Sequence, residues 1–468
     1  MSTKLLFLEY KQIRWCSTQQ KMKVIDTVDK LLSNNELKHK HHPGIMKPRQ
    51  IEQPKWLSNT IKKLLQEENI SSKIIYPFSI KLSAHLNGRH PPPEHEDIQS
   101  KIQEVKSRIY ESEEQELDNE DLLTDPKAQK LLKNLIYNWE PVQYNKYASI
   151  AYLISRSMPE YSVLYKILNE IVYNDKNFTP KTLFDFGSGV GTVMWAASQF
   201  WSNSIKEYYC VDISKHMNEL SEYLMERNTP KIKSQYIFYR QFFPSSPIPT
   251  YDIVVSAYSL LELPSQNSRL EIILKLWNKT AQYLIIVEQG TNVGFKLINE
   301  ARDFILNYAK NARNAHVFSP CPHDMHCPRY MTDNTPCNFD TTYLTLPVGN
   351  KSMHKHELYS YVVLKKDERF EDSCKWPRIV RPVLRRSKHV RCRLCTASGK
   401  LEEQVFTTWK NGKNTYRCSR CSEWGDRLPF EIIKEKEIEK EKENKMEGEM
   451  KEENETTMQI CVNLTNIK

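Results

Sequence analysis

Residues 182–200 read TLFDFGSGVGTVMWAASQF, and the reading of this stretch decides the fold. Positions 182–186 favour a strand. Gly187, Gly189 and Gly191 follow at alternate positions, and 192–200 continues as an apolar, helix-like run. Alternate glycines between a strand and a helix let the backbone turn tightly and approach a ligand closely. The helix N-terminus adds unpaired N–H groups and a partial positive charge. The dinucleotide fingerprint G-x-G-x-x-G does not fit. Asp185, two residues before Gly187, gives D-x-G-x-G-x-G instead, the pattern of a nucleoside-type site.

Outward from this turn, strand and helix alternate over residues 180–300 as in a doubly wound sheet. Further strands are expected at 207–212, 235–238, 251–256 and 283–288. Asp212 ends the second strand, 25 residues after Gly187. That is near the spacing of about 20 at which an acid accepts from ribose hydroxyls. The turn resembles the first motif of the Rossmann-like methyltransferases, which bind S-adenosylmethionine (SAM). The resemblance implies an α/β, Rossmann-like SAM-dependent methyltransferase fold at 176–315. Asp185, Gly187, Gly189, Gly191 and Asp212 are then the cofactor-binding residues. Glu262 and Glu288 are candidate rim acids. Enzymes that methylate exocyclic base nitrogens carry an Asn/Asp-Pro-Pro-aromatic loop after the fourth strand. Here 256–264 reads SAYSLLELP, and no cysteine stands where a cytosine C5 enzyme needs one. No catalytic residue is assigned.

The chain has 468 residues, long enough for two or three domains. Net charge is +9 and mean hydropathy −0.63, so charged segments dilute an ordinary core. The basic balance is compatible with nucleic acid. No apolar run reaches the roughly 18 residues of a membrane span. The first 25 residues hold Lys4, Lys11, Arg14, Lys21 and Lys23 against one acid, Glu9. With Leu5, Leu6, Phe7, Leu8, Ile13 and Trp15 on the apolar side, 1–25 reads as a mitochondrial presequence. Residues 26–175 read as a helical N-terminal region, with one amphipathic helix within 94–122 and two helices over 144–173 separated at Met158-Pro159. From 431 to 468 Lys and Glu alternate as a charged, disordered tail.

Of the 11 cysteines, Cys321, Cys327, Cys337, Cys392, Cys395, Cys418 and Cys421 crowd one segment. Such clustering points to metal rather than disulfides. Two four-ligand sets are open. Cys392, Cys395, Cys418 and Cys421 form C-x2-C-x22-C-x2-C, close to a zinc ribbon. Alternatively, Cys321, Cys327 and Cys337 take a fourth ligand from Cys395 or Cys392, which suits an iron–sulfur cluster. Reduced structural thiols are the third reading. Region 375–413 holds 11 Lys or Arg against Glu402 and Glu403. Arg378, Arg381, Arg385, Arg386 and Lys388, interleaved with Trp376 and His389, are the candidate RNA-binding residues.

The ordered set made of the 185–191 turn, Glu288-Gln289-Gly290-Thr291, Cys321-Pro322-His323, Cys327-Pro328, Cys337, Trp376-Pro377-Arg378-Ile379, His389-Val390 with Cys395, Tyr416-Arg417 and Trp424-Gly425-Asp426 resembles the mitochondrial small-subunit-associated methyltransferase-like family. That resemblance spans about residues 144–429. It implies a 4Fe-4S cluster on Cys321, Cys327, Cys337 and Cys395, with Cys392 as the alternate, in a cysteine-rich, basic module at 316–430. It implies SAM binding without methyl transfer, and assembly of the mitochondrial small ribosomal subunit through its rRNA and proteins. The expected location is the mitochondrial matrix, and the expected state off the ribosome is a monomer. An active rRNA methyltransferase and a zinc-ribbon interaction protein are the alternatives.

Overall fold

The structure is a computed structural model that describes residues 21–110, 126–135, 139–227, 236–244, 249–310, 314–332, 335–369 and 375–433. Two compact units divide the chain. The larger is Met46–Val380 with Cys395–Leu401; the smaller is Met1–Ile45, Arg381–Leu394 and Glu402–Lys468.

Strands are numbered in chain order. β1 (Met22–Val24) belongs to the smaller unit. The sheet of the larger unit uses β2 (Gln50–Ile51), β3 (Thr182–Phe186), β4 (Glu207–Val211), β5 (Tyr236–Arg240), β6 (Tyr251–Ala257), β7 (Thr280–Gln289), β8 (His316–Ser319), β9 (Phe339–Leu344) and β10 (His354–Lys365). Its order is β2-β9-β10-β7-β6-β3-β4-β5, with β8 also on β10. β3 to β7 form the expected parallel, doubly wound part, with Asp185 opposite Cys210 and Val255. Chain order reverses between β3 and β6. At such a switch point ligands bind beyond the carboxyl ends of the strands. The glycine turn leaves β3 at this place.

The sheet extends past the expected boundary at 315. β10 lies antiparallel to β7, with Val362 opposite Ile286, and β8 and β9 pair antiparallel with β10. The start of β10, His354-Lys355-His356-Glu357, is polar and gives no strand signal; only its second half is apolar. Packing against β7 decides it. Leu284, Ile285, Ile286, Val287, Val363 and Leu364 are all fully buried, as a strand covered on both faces requires.

The expected interruption at Met158-Pro159 is absent: Lys146–Asn174 is one helix of 29 residues. Pro159 removes one intrahelical hydrogen bond, which costs roughly 3 kcal/mol in an isolated helix. Here Arg156 to Leu164 are buried without a break, so packing overrides the local penalty. Asn145 caps the helix, its side chain accepting from Ala148 N at 2.9 Å. Within the 94–122 segment the structure has the helix His95–Tyr110; 111–122 lie outside the described residues.

In the smaller unit β1 pairs antiparallel with β15 (Phe430–Ile432), Val24 opposite Phe430. Met22 and Val24 are buried. The last part of the segment expected as a presequence is therefore folded, and 1–20 lie outside the described residues. The start of the expected tail is strand, while 434–468 lie outside the described residues. β11 is Arg378–Ile379, in the larger unit; β12 (Leu384–Arg385) pairs with β13 (Val390–Cys395), and β13 with β14 (Leu401–Phe406). Phe406 meets Phe430 edge to face at 5.4 Å. The chain crossing at Gly44 is tight: a Cβ there would stand 1.9 Å from the Arg427 carbonyl oxygen.

Candidate cofactor pocket and cysteine centre

All three glycines of the turn have positive φ, at 72°, 50° and 88° for Gly187, Gly189 and Gly191. Side chains rarely adopt this region. Two of the glycines are also closely approached. A Cβ on Gly187 would lie 2.5 Å from Ser259 Cβ, and one on Gly191 2.6 Å from Ser221 Oγ. Gly187 N and Ser188 N donate to Val211 O, which ties the turn to the end of β4. Asp212 then accepts from Gly189 N and Ser214 N, each at 2.9 Å. The turn and the acid expected near the ribose thus meet directly.

Asp185 is buried, and neither carboxylate oxygen has a hydrogen-bond partner. Burial raises its pKa well above the carboxylate range, and Asp212 and Glu160 raise it further. Ser188 Oγ, Trp195 Nε1, Asn218 Oδ1 and Tyr258 OH are also buried without partners. Orphaned buried polar groups are costly, about 1–3 kcal/mol each. A polar nucleoside carrying a cationic amino-acid end would supply partners for such a set, so the residues present fit SAM. Tyr258, just after β6, holds φ 58°, and the Arg156 guanidinium stands 5.5 Å from its ring centre. Strain of this kind belongs with functional sites when it is observed.

The two rim acids differ. Glu288 is fully buried; Oε1 accepts from Leu260 N at 2.9 Å and Oε2 has no partner. Burial pushes its pKa up to about 8, with Glu262 adding to the rise. Glu262 is held by the Arg89 guanidinium and by Val142 N. Trp139 Nε1 donates to Leu261 O at 3.2 Å, and Ser214 Oγ to Tyr144 O at 2.8 Å. Residues 139–144 therefore fasten onto the rim, and Glu262 is engaged as a structural partner.

The second centre lies in the same unit. Cys321, Cys327, Cys337 and Cys395 line one small cavity with Pro320, Pro328, Phe339 and Arg378. None of the four is in a disulfide. Burial raises the Cys395 thiol well above its ordinary value, and Cys321, Cys337 and Cys327 each raise it further. Cys327 is pushed up to about 11 by burial and by Cys321. His323 Nε2 lies 3.3 Å from Cys395 Sγ. Arg302 donates to the carbonyls of His323 and Met325. Among the described residues, no three His, Cys, Asp or Glu side chains are gathered as a site for one metal ion. A single zinc needs thiolates about 2.3 Å from one centre. Four cysteine thiols around one cavity are the donor chemistry of an iron–sulfur cluster.

The ribbon set is divided between the two units. Alternation along β13 sends Cys392 and Cys395 to opposite faces. Cys392 is buried in the smaller unit, while Cys395 belongs to the larger. Burial pushes the Cys418 thiol up to about 12, and Cys421 raises it further. His326 is exposed and faces Asp303 at 3.4 Å.

Among the expected RNA-binding residues, Arg378 is displaced by the structure. It is buried, pairs with Glu170, and donates to Pro320 O at 3.1 Å and Ser319 Oγ at 3.2 Å. It braces the cysteine cavity and cannot reach a phosphate. In the smaller unit Arg381 is half-buried, and Arg385, Arg386 and Lys388 are exposed. Arg385 donates to the carbonyls of Arg420 and Ser422 at 2.8 and 2.7 Å. The helix Lys413–Cys421, outside the candidates named from the sequence, carries the exposed cations Lys413, Arg417 and Arg420 at i, i+4, i+7 spacing. That spacing was the available signal.

The profile of the family "Mitochondrial small ribosomal subunit Rsm22" matches residues 146–429. The chain belongs to this family. Human "Ribosome assembly protein METTL17, mitochondrial" is 36% identical over 411 residues, covering 84% of this chain and 86% of that protein. "Rsm22-cox11 tandem protein 2, mitochondrial" of Schizosaccharomyces pombe is 28% identical over 337 residues, covering 59% of this chain and 43% of that protein. A class I SAM-dependent methyltransferase structure from Listeria monocytogenes is 12% identical, covers 67% of this chain and 86% of its own, and superposes with a TM-score of 0.31. The fold assignment rests on the strand order above and not on that superposition. The Rsm22-family relatives are mitochondrial, in agreement with the matrix location expected from the sequence. Among the described residues no helix is long and apolar enough to cross a membrane.

Proposed function

We propose that this Rsm22-family chain is an assembly factor of the mitochondrial small ribosomal subunit that binds its immature rRNA. Cys321, Cys327, Cys337 and Cys395 would hold a 4Fe-4S cluster, and the 185–191 turn with Asp212 would hold SAM without methyl transfer. The observation that carries the reading is the four-cysteine cavity in a relative of a protein named for ribosome assembly. When bound, the cluster supplies four iron–thiolate bonds that cross-link segments far apart in the chain. Such binding energy is folding energy. Arg378 and Glu170 brace one wall of the cavity, and His323 stands against Cys395. SAM, selective for the folded state, stabilises it by mass action, about 2.7 kcal/mol at a concentration of 100 Kd.

Absence of methyl transfer is supported by the rim. Glu262 is paired with Arg89, Glu288 is fully buried, and residues 139–144 are fastened over the edge. An active rRNA methyltransferase is favoured only by Glu288, whose free oxygen and raised pKa suit a proton acceptor near pH 8. Anaerobic purification with iron, sulfide and zinc analysis tests the cluster; stoichiometric zinc without iron would remove it. Comparing methylation of small-subunit RNA by wild type and Asp185→Ala tests the activity. A specific mark lost in the variant would establish the enzyme.

A further inference from the structure

We propose that Trp409 and the outer face of the helix Lys413–Cys421 form a binding surface for unpaired RNA. The indole serves as a stacking platform, and Lys413, Arg417 and Arg420 face the phosphates. This inference rests on the RNA-binding reading and names its surface. Trp409 is 94% exposed, more than any other large apolar side chain among the described residues. It sits on the short helix Thr408–Asn411, which is fixed from both ends. Thr407 Oγ1 accepts from Lys410 N and Asn411 Oδ1 from Thr407 N, each at 3.1 Å. Asn411 Nδ2 donates to Met22 O at 3.4 Å, anchoring the turn to β1. A rigidly held, solvent-facing indole contributes nothing to the core.

The next residue, Gly412, has φ 82° and open space where a Cβ would stand. Beyond it the helix presents Lys413, Arg417 and Arg420 on one side, while Thr415, Cys418 and Ser419 are buried on the other. Arg420 Nη1 donates to Arg386 O at 2.7 Å, so the cationic row continues into the turn between β12 and β13, which carries Arg386 and Lys388. Segments 381–394 and 413–421 contain no acid. Asp26 and Asp29, which share a cleft with Lys413 and Arg417, are engaged by Lys23 and by Asn414 Nδ2. The face thus keeps a net positive field. An aromatic platform bordered by a cationic track is how unpaired bases are held without sequence readout. A protein partner would want further apolar surface around the indole, and the neighbours in sequence are Thr408, Lys410, Asn411 and Gly412 instead.

The test uses the full chain purified anaerobically, with a labelled single-stranded oligouridine and a hairpin duplex of equal length as probes. Trp409→Ala is expected to weaken single-strand binding on the order of tenfold and to leave duplex binding unchanged. Trp409→Phe should keep most of the affinity. Lys413→Gln with Arg417→Gln should weaken both probes and lower the single-strand salt slope by about 1.4. Thermal melting of each variant reports folding. Unchanged single-strand binding by Trp409→Ala, with wild type still binding, overturns the stacking surface and leaves the RNA-binding reading intact. Wild type that binds neither probe overturns both. Loss of capture of RNase-treated small-subunit proteins by Trp409→Ala, with RNA binding unchanged, reassigns the surface to a protein and overturns the inference.

Discussion

The glycine-turn pocket and the cysteine cavity lie in one unit but are built in opposite ways. The pocket is local. Seven consecutive residues form its turn, and it is closed by the neighbouring strand end, where Val211 O accepts from Gly187 N and Ser188 N and Asp212 accepts from Gly189 N. The cavity is assembled from residues that stand near 321, 327, 337 and 395, brought together only by the completed sheet and by Arg378. A local site survives small errors elsewhere. A composite site depends on every segment that reaches it. Damage to the cavity should therefore reach the whole fold, while damage to the turn should stay confined to ligand binding.

The largest expected effect is at the cavity. Cys395→Ser should abolish iron binding and lower stability by about 4 kcal/mol, the chain-entropy worth of a cross-link over a loop of roughly 60 residues. Iron analysis and denaturant midpoints under anaerobic conditions measure it. Cys392→Ser should retain iron, because Cys392 lies elsewhere; loss of iron in that variant would exchange the two assignments. Arg378→Ala comes next. Removing one partner of a buried ion pair leaves Glu170 uncompensated, at a cost of about 3 kcal/mol or more. If Arg378→Ala kept its stability and lost RNA affinity, the bracing role would be wrong.

The same contrast explains what could be read from the sequence. The turn, the five parallel strands and the position of Asp212 were legible because periodicity and glycine spacing are local signals. The antiparallel strands β8, β9 and β10 were not, since polar residues open β10 and only contact with β7 makes it a strand. Pro159 reads as a helix break in the sequence, and the burial that overrides it is not a local signal. By composition Arg378 is indistinguishable from the exposed arginines that follow it. Its burial depends on Glu170, 208 positions away, and no local pattern reports such a partner. Cys395 could be favoured over Cys392 only through family resemblance. The strand alternation that separates the two faces is visible once β13 is known.

At the pocket, Gly191→Ala should cost about 2 kcal/mol, within the 1–3 kcal/mol of a strained backbone position. Its φ is 88° and Ser221 Oγ would stand 2.6 Å from the new Cβ. The thermal shift induced by SAM should vanish, while iron content should stay at the wild-type level. Iron loss in Gly191→Ala would show that the two sites are not independent, and would break the contrast between them.

The smallest effect expected near pH 4 comes from Glu288. Burial raises its folded-state pKa from 4.5 to about 8. Between these two values the folded chain binds more protons than the unfolded chain, so stability falls as pH rises. The contribution is fully present below the unfolded pKa and is lost through pH 8. Glu160, raised to about 7 by burial, acts with the same sign. Glu288→Gln removes its share of this slope. The variant should match wild type near pH 4 and unfold at a higher denaturant concentration than wild type at pH 8. Equal midpoints at both values would mean that Glu288 is charged and solvated in the folded state. That outcome would return it to the candidates for catalysis, because a rim acid in contact with water can exchange a proton with a bound acceptor.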